Sequence, residues 1–267
     1  MATRQIPLTI DQIGTGSVRF PSSGPIPNIT DQSVDPYFKS RMPKTAQVEA
    51  LQFFPQVKAK YPGIVVLHEW WGLNVQIKNL ANRLACEGFG VILPNLYGRL
   101  GGMVTANLEV AQALRARLTE ADVLQDINAC CEFLNTQDHV KQNVHGVIGF
   151  GMGGTFAIQF AWRRKRLRGA VSYYGNIPSP AAQLKDIVCP VLYHRPEDDV
   201  WVTPEDVEQL RQSAKEFGKQ IDIVSYPGTP HAFANDTRPD QSRPDVAQAA
   251  WDRTIEFLKE CFKKDMQ

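Results

Sequence analysis

No apolar run in this 267-residue chain approaches the roughly 18 residues that would span a bilayer, so no membrane partner is expected. The N-terminal stretch has no continuous apolar segment of the secretory kind, and the expected compartment is the cytoplasm. Neither sign of charge is in excess. The 29 Lys and Arg against 28 Asp and Glu leave +1, which gives no electrostatic reason for nucleic acid or a lipid surface as partner. Cysteine is sparse. Cys86, Cys130, Cys131, Cys189 and Cys261 include no C-x-x-C pair and are odd in number. They read as buried thiols in a reducing compartment, with no metal and no disulfide expected.

The absence that matters most is a single side chain. Residues 144–154 read Val-His-Gly-Val-Ile-Gly-Phe-Gly-Met-Gly-Gly, an apolar strand entering a Gly-rich turn and then the apolar helix expected over Thr155–Trp162. That is the pattern of a nucleophile elbow, G-x-Nu-x-G, in which a sharp strand-to-helix turn holds a Ser or Cys. Here Gly149 and Gly153 take the outer positions and Gly151 the middle one. The position has neither thiol nor hydroxyl.

What is present is alternation. A hydrophobic content of 43% in a chain of this length suffices for one large core. Residues 1–45 hold Pro7, Pro21, Pro25, Pro27, Pro36 and Pro43 and no sustained period, which predicts an irregular extension. Its Asn28-Ile29-Thr30 matches a glycosylation sequon, read as chance without a secretion signal. From residue 46 onward strands and helices alternate. Strands are expected at Val48–Phe54, Ile64–Leu67, Gly90–Leu93, Val144–Phe150, Arg168–Tyr173, Cys189–His194 and Gln220–Tyr226. Helices are expected at Asn74–Glu87, 105–117, 120–134, Pro204–Phe217 and Asp245–Phe262. This is the signature of βαβ units, a mostly parallel sheet flanked by helices in an α/β fold. The basic run Arg163–Arg166 reads as cations at a helix C-terminus.

In such sheets reactive groups sit on loops after the strands. Four of those loops carry suggestive residues: His68-Glu69-Trp70-Trp71-Gly72, the glycine turn, Glu197-Asp198-Asp199, and Pro230-His231-Ala232-Phe233. Nucleophile turn, then acid, then histidine is the chain order of α/β-hydrolases.

These segments, with Pro94-Asn95-Leu96-Tyr97-Gly98-Arg99, Ala170-Val171-Ser172-Tyr173-Tyr174-Gly175 and Gly228-Thr229-Pro230-His231-Ala232-Phe233, resemble the dienelactone hydrolases from about Pro62 to Phe262. The resemblance implies an α/β-hydrolase fold and hydrolysis of a small-molecule ester or lactone with no metal or organic cofactor. It implies His231 as general base and Asp199 as its orienting carboxylate, with Asp198 as the near competitor. It further implies Glu69 as a buried glutamate facing the nucleophile, and the backbone N–H groups of Trp70 and Met152 as the oxyanion hole. Trp71, Tyr97, Tyr174, Trp201, Phe233 and Asn235 are expected around the substrate.

Two departures stand out. Family members that cleave dienelactone carry an arginine four positions after the histidine, to hold the substrate carboxylate, and here that residue is Asn235. Arg99 and Arg115 lie nearby in sequence. The other departure is Gly151, which closes the acyl-enzyme route. Ser172 lies on another strand and Thr155 inside the helix start, so neither is expected to replace it. Three readings remain open: hydrolysis by a water seated where the side chain would be, an inactive binding protein that keeps the pocket, or a variant of a Cys or Ser parent.

Overall fold

The computed structural model describes residues 7–22, 46–178 and 181–265. Eight strands form one sheet in the order β1-β2-β4-β3-β5-β6-β7-β8. They are β1 (Ile13–Pro21), β2 (Gln47–Pro55), β3 (Tyr61–Leu67), β4 (Gly90–Pro94), β5 (Val140–Phe150), β6 (Leu167–Tyr173), β7 (Val191–Asp198) and β8 (Ile221–Pro230). The β1–β2 and β2–β4 pairs are antiparallel, and every pair from β4 through β8 is parallel.

The parallel centre explains the continuous apolar runs. All seven residues of β3 and all five of β4 are buried, because helices cover both faces of the sheet. Along β3, Val65 and Leu67 face one apolar cluster while Ile64 and Val66 face the other. The first cluster is closed by α3 (Glu120–Asn135), α4 (Met152–Arg163) and α5 (Pro204–Glu216). The second is closed by α1 (Val75–Cys86) and α6 (Pro244–Cys261). A short helix, α2 (Leu108–Ala116), precedes α3. No helix among the described residues is long and apolar enough to cross a membrane.

The N-terminal expectation needs correcting. Residues 13–21 are not irregular: they form β1, paired along its whole length with β2 from Ile13↔Pro55 to Pro21↔Gln47. Its burial alternates over the exposed middle of the strand, the mark of an edge strand with one solvated face, and Gly14 and Gly16 obscure that alternation in the sequence. The sequon at Asn28 lies outside the described residues. The cysteines also divide: Cys130, Cys131 and Cys189 are buried, whereas Cys86 and Cys261 are only partly so.

Candidate active site

Five loops leave the C-terminal ends of neighbouring parallel strands and converge, as the switch-point rule for α/β sheets requires. The central one is the turn from β5 into α4. Two of its glycines are sterically obligatory. A Cβ on Gly149 would stand 1.9 Å from the Gly153 oxygen, and one on Gly153 would stand 2.4 Å from the Leu67 oxygen. Gly151 is different. A Cβ there meets nothing closer than Glu69 Cγ at 3.6 Å, His231 Nε2 at 3.8 Å and Tyr174 Cδ2 at 4.0 Å, all ordinary van der Waals contacts. Its φ of 51° is the strained left-handed conformation that elbows impose on the residue at their apex. Its N–H donates to the Tyr173 carbonyl at 2.9 Å, and its carbonyl accepts from the Thr155 N–H at 3.1 Å.

His231 and Asp199 reach this turn from adjacent strands. Asp198 on β7 pairs with Pro230 on β8, so the next residue of each strand emerges beside the other. The His231 Nδ1–H donates to Asp199 Oδ2 at 2.8 Å, and this leaves the Nε2 lone pair directed toward Gly151. The other carboxylate oxygen, Oδ1, accepts from the Trp201 N–H at 2.8 Å. The Asp199 side chain has no solvent exposure, while the His231 ring keeps about a fifth (21%). Asp199, rather than Asp198, is therefore the carboxylate on the imidazole.

Glu69 follows β3 and lies opposite His231. The Tyr174 hydroxyl donates to its Oε1 at 2.8 Å and the Asn235 amide to its Oε2 at 2.9 Å. Burial pushes its pKa up, opposed by those two donors, by the His231 charge and by a hydrogen bond from Trp71. Tyr174 reaches it from a φ of 42°, a left-handed conformation unusual for an aromatic residue. His68 holds the same loop from behind. Its ring Nδ1–H donates to the Glu69 carbonyl, and its Nε2 accepts from the Leu96 N–H at 3.0 Å. Burial lowers its pKa to about 4, so the ring is neutral and both bonds are kept at neutral pH.

Met152 begins α4, where backbone N–H groups have no intrahelical acceptor. Among the described residues the Trp70 N–H likewise has no acceptor. The Tyr97 hydroxyl donates to the Trp70 carbonyl at 2.9 Å and lies 3.9 Å from Met152 Sδ, tying the two segments together.

A cavity of about 300 Å³ opens over Gly151, lined by Glu69, Trp70, Arg115, Met152, Thr155, Asn176, Trp201 and His231. Of the six residues expected around a substrate, only Trp201 lines it. Tyr97, Tyr174, Phe233 and Asn235 are fully buried and form the layer behind the wall, where Tyr174 and Asn235 hold Glu69 and Tyr97 holds the Trp70 carbonyl. Trp71 hydrogen-bonds Glu69 from behind and otherwise lines a separate surface hollow, with Arg238 stacked 4.8 Å over its ring. Arg115 reaches the cavity from α2 and forms no ion pair among the described residues, packing 5.9 Å from the Phe156 ring. Arg99 is instead held by Asp122 and Asp126 at 3.1 and 2.6 Å. Asn176 was not anticipated, although its place just after β6 puts it on the reactive edge. Ser172 is fully buried in β6. Thr155 does line the cavity, from the first turn of α4.

The profile of the dienelactone hydrolase family matches residues 48–262. The chain belongs to the dienelactone hydrolase family. Its relatives include a Bradyrhizobium protein described as a probable 2-oxo-3-(5-oxofuran-2-ylidene)propanoate lactonase, 29% identical over 77% of this chain and 86% of that one. Protein usf of Aquifex pyrophilus is 31% identical over 74% of this chain and 88% of its own length. Among solved structures, a dienelactone hydrolase-like promiscuous phosphotriesterase from metagenomic libraries superposes with a TM-score of 0.76 at 19% identity. That match covers 94% of this chain and 99% of the other. Similarity at that level carries the α/β-hydrolase fold, which this dienelactone hydrolase family member shares.

Proposed function

We propose that this chain acts on the carbonyl of a small ester or lactone bearing an anionic group, without forming an acyl-enzyme. The observation that carries this reading is the pairing of His231 with Asp199 at 2.8 Å, facing a cavity in which residue 151 has room for a side chain and none is present. An imidazole oriented by a carboxylate can accept a proton at neutral pH and is stabilised once it becomes imidazolium. The free N–H groups of Met152 and Trp70 are the donors for charge developing on the carbonyl oxygen. Arg115 supplies the cation for the anionic group, a role that Asn235, turned inward to Glu69, does not fill. The lactonase name of the Bradyrhizobium relative supports the substrate class.

Losing the nucleophile of a triad costs about 10⁶ in turnover, while the remaining groups still give about 10³–10⁴ over water. The native chain is accordingly expected to be a slow hydrolase. The test is hydrolysis of aryl esters and enol lactones by the native, Gly151→Cys and His231→Ala forms. Turnover by the native protein above that of His231→Ala supports the reading, and a gain in Gly151→Cys with a native rate no higher than His231→Ala overturns it. No turnover in any form, together with tight binding of small molecules in the cavity, would replace it with a binding protein that keeps only the pocket.

A further inference from the structure

The space over Gly151 is bounded by one acceptor atom, His231 Nε2, by the Glu69 methylene that carries its carboxylate, and by the Tyr174 ring. His231 Nε2 stands 3.8 Å from the Cβ position and Glu69 Cγ 3.6 Å from it. The Nδ1–H of His231 is committed to Asp199. The Glu69 carboxylate receives Tyr174 on one oxygen and Asn235 on the other, with a third hydrogen bond from Trp71, leaving about one of its four lone pairs for another donor. A water needs about 30 Å³ and two to four polar partners, and a Cys or Ser side chain would fill a comparable volume here. The seat opens into the substrate cavity rather than into a closed void.

We propose that this seat binds a small, neutral, diffusible nucleophile, so that the chain transfers acyl groups directly to water, hydroxylamine-sized amines or small alcohols in one displacement. The inference rests on the ester or lactone reading above and names the attacking species for that same site. The nucleophile donates one O–H or N–H to His231 Nε2 and, where it has a second, donates that to the Glu69 carboxylate. As its lone pair forms the bond to the carbonyl carbon, His231 takes the proton, and the carbonyl π pair moves to oxygen beside the Trp70 and Met152 N–H groups. Collapse re-forms the carbonyl and breaks the bond to the leaving oxygen, which takes the proton from His231. Water then yields an acid and an alcohol, and hydroxylamine a hydroxamate. His231 returns the proton it took, and no carbon, nitrogen or oxygen of the protein becomes bonded to the acyl group.

The test follows an aryl ester with increasing hydroxylamine, for the native, Gly151→Cys and His231→Ala proteins. The native protein should form hydroxamate at a rate linear in hydroxylamine, with no ester-derived mass added to the protein in a single turnover. In H₂¹⁸O one labelled oxygen should enter the acid. His231→Ala should lose about 10²-fold or more of this rate, the range for a general base. Gly151→Cys should instead gain the acyl mass. Bulk at the seat gives a second readout without any variant: N-tert-butylhydroxylamine should be at least tenfold slower relative to hydroxylamine than in the uncatalysed reaction. If the native protein hydrolyses the ester faster than His231→Ala but makes no hydroxamate above it, the seat is overturned and the ester reading stands. An unchanged ratio for the bulky amine overturns it equally. If the native protein hydrolyses no ester or lactone faster than His231→Ala, both inferences fall.

Discussion

At residue scale, Glu69 is the group whose surroundings most constrain the site. It is buried and its pKa is raised by that burial, and the side chains bonded to it are all neutral. Removing one of them leaves a buried carboxylate oxygen short of a partner, which costs about 1–3 kcal/mol. Asn235→Ala should therefore lower stability by about that amount in urea denaturation and move the Glu69 pKa further up. Asn235→Asp should cost more, because it places a second carboxylate against the first. Arg115 gives a prediction of a different kind. Arg115→Met should raise KM for carboxylate-bearing lactones about tenfold or more while leaving neutral aryl esters within twofold, a loss of roughly 1.4 kcal/mol confined to the charged substrates. Equal losses on both substrate classes would show that Arg115 only shapes the wall. Motif order gave the succession of glycine turn, acid and histidine, and the family resemblance assigned His231, Glu69 and Asp199, with Asp198 as competitor until the bond from His231 to Asp199 separated the two. Neither fixed the lining residues. Whether Tyr97 or Phe233 faces the cavity or the layer behind it depends on how loops fold over the strand ends, which no local pattern encodes.

At the scale of elements, the turn from β5 into α4 separates glycines needed for packing from the one that is not. Gly149→Ala drives a methyl into the Gly153 carbonyl. No rotamer relieves a backbone clash, so the turn has to open, at about 3 kcal/mol or more. Gly151→Ser meets open space and bears only the strain of a positive φ in a sparsely populated region, about 1–3 kcal/mol. Chemical denaturation of the two variants should show that ordering, and a reversed one would mean that the turn is not held as described. The motif in the sequence already set Gly151 apart from Gly149 and Gly153, and the structure adds the steric reason: only the outer two have backbone where a Cβ would stand. The βαβ elements were legible because a strand buried on both faces is a continuous apolar run, as in β3, and because the helices between them keep apolar residues at helical spacing. The structure adds the caps that start them. Asn74 accepts from the Ile77 N–H at 3.1 Å at the head of α1, and Thr203 with Asp206 boxes the head of α5. β1 went unread because an edge strand makes half its contacts with solvent, and two glycines interrupt its alternation.

At the scale of the whole molecule, three neutral imidazoles tie stability to pH. His68 is fully buried in the loop after β3. His194 sits between the Tyr226 hydroxyl and Thr254 Oγ1, both at 2.8 Å. His145 lies in β5 near the Arg164 charge. Burial lowers the pKa of His68 and His145 to about 4 and of His194 to about 3, the last two aided by the charges of Arg164 and Arg253 respectively. In the unfolded chain each titrates near 6.5. Between those values the unfolded chain binds more protons than the folded one, so stability rises with pH. The contribution is complete above about pH 6.5 and is lost progressively as pH falls toward the folded values. Each histidine adds a slope of about 1.4 kcal/mol per pH unit inside its window. Urea midpoints measured from pH 7.5 to 4.5 should therefore fall steadily on acidification. His194→Gln should flatten the lower part of that curve by about one proton's worth, whatever its effect on stability at neutral pH. Carboxylates contribute to the same acid limb, so the decisive quantity is the difference in slope between the two proteins. Identical slopes would mean that His194 takes up its proton within the native fold, with its bonds to Tyr226 and Thr254 rearranging around the cation.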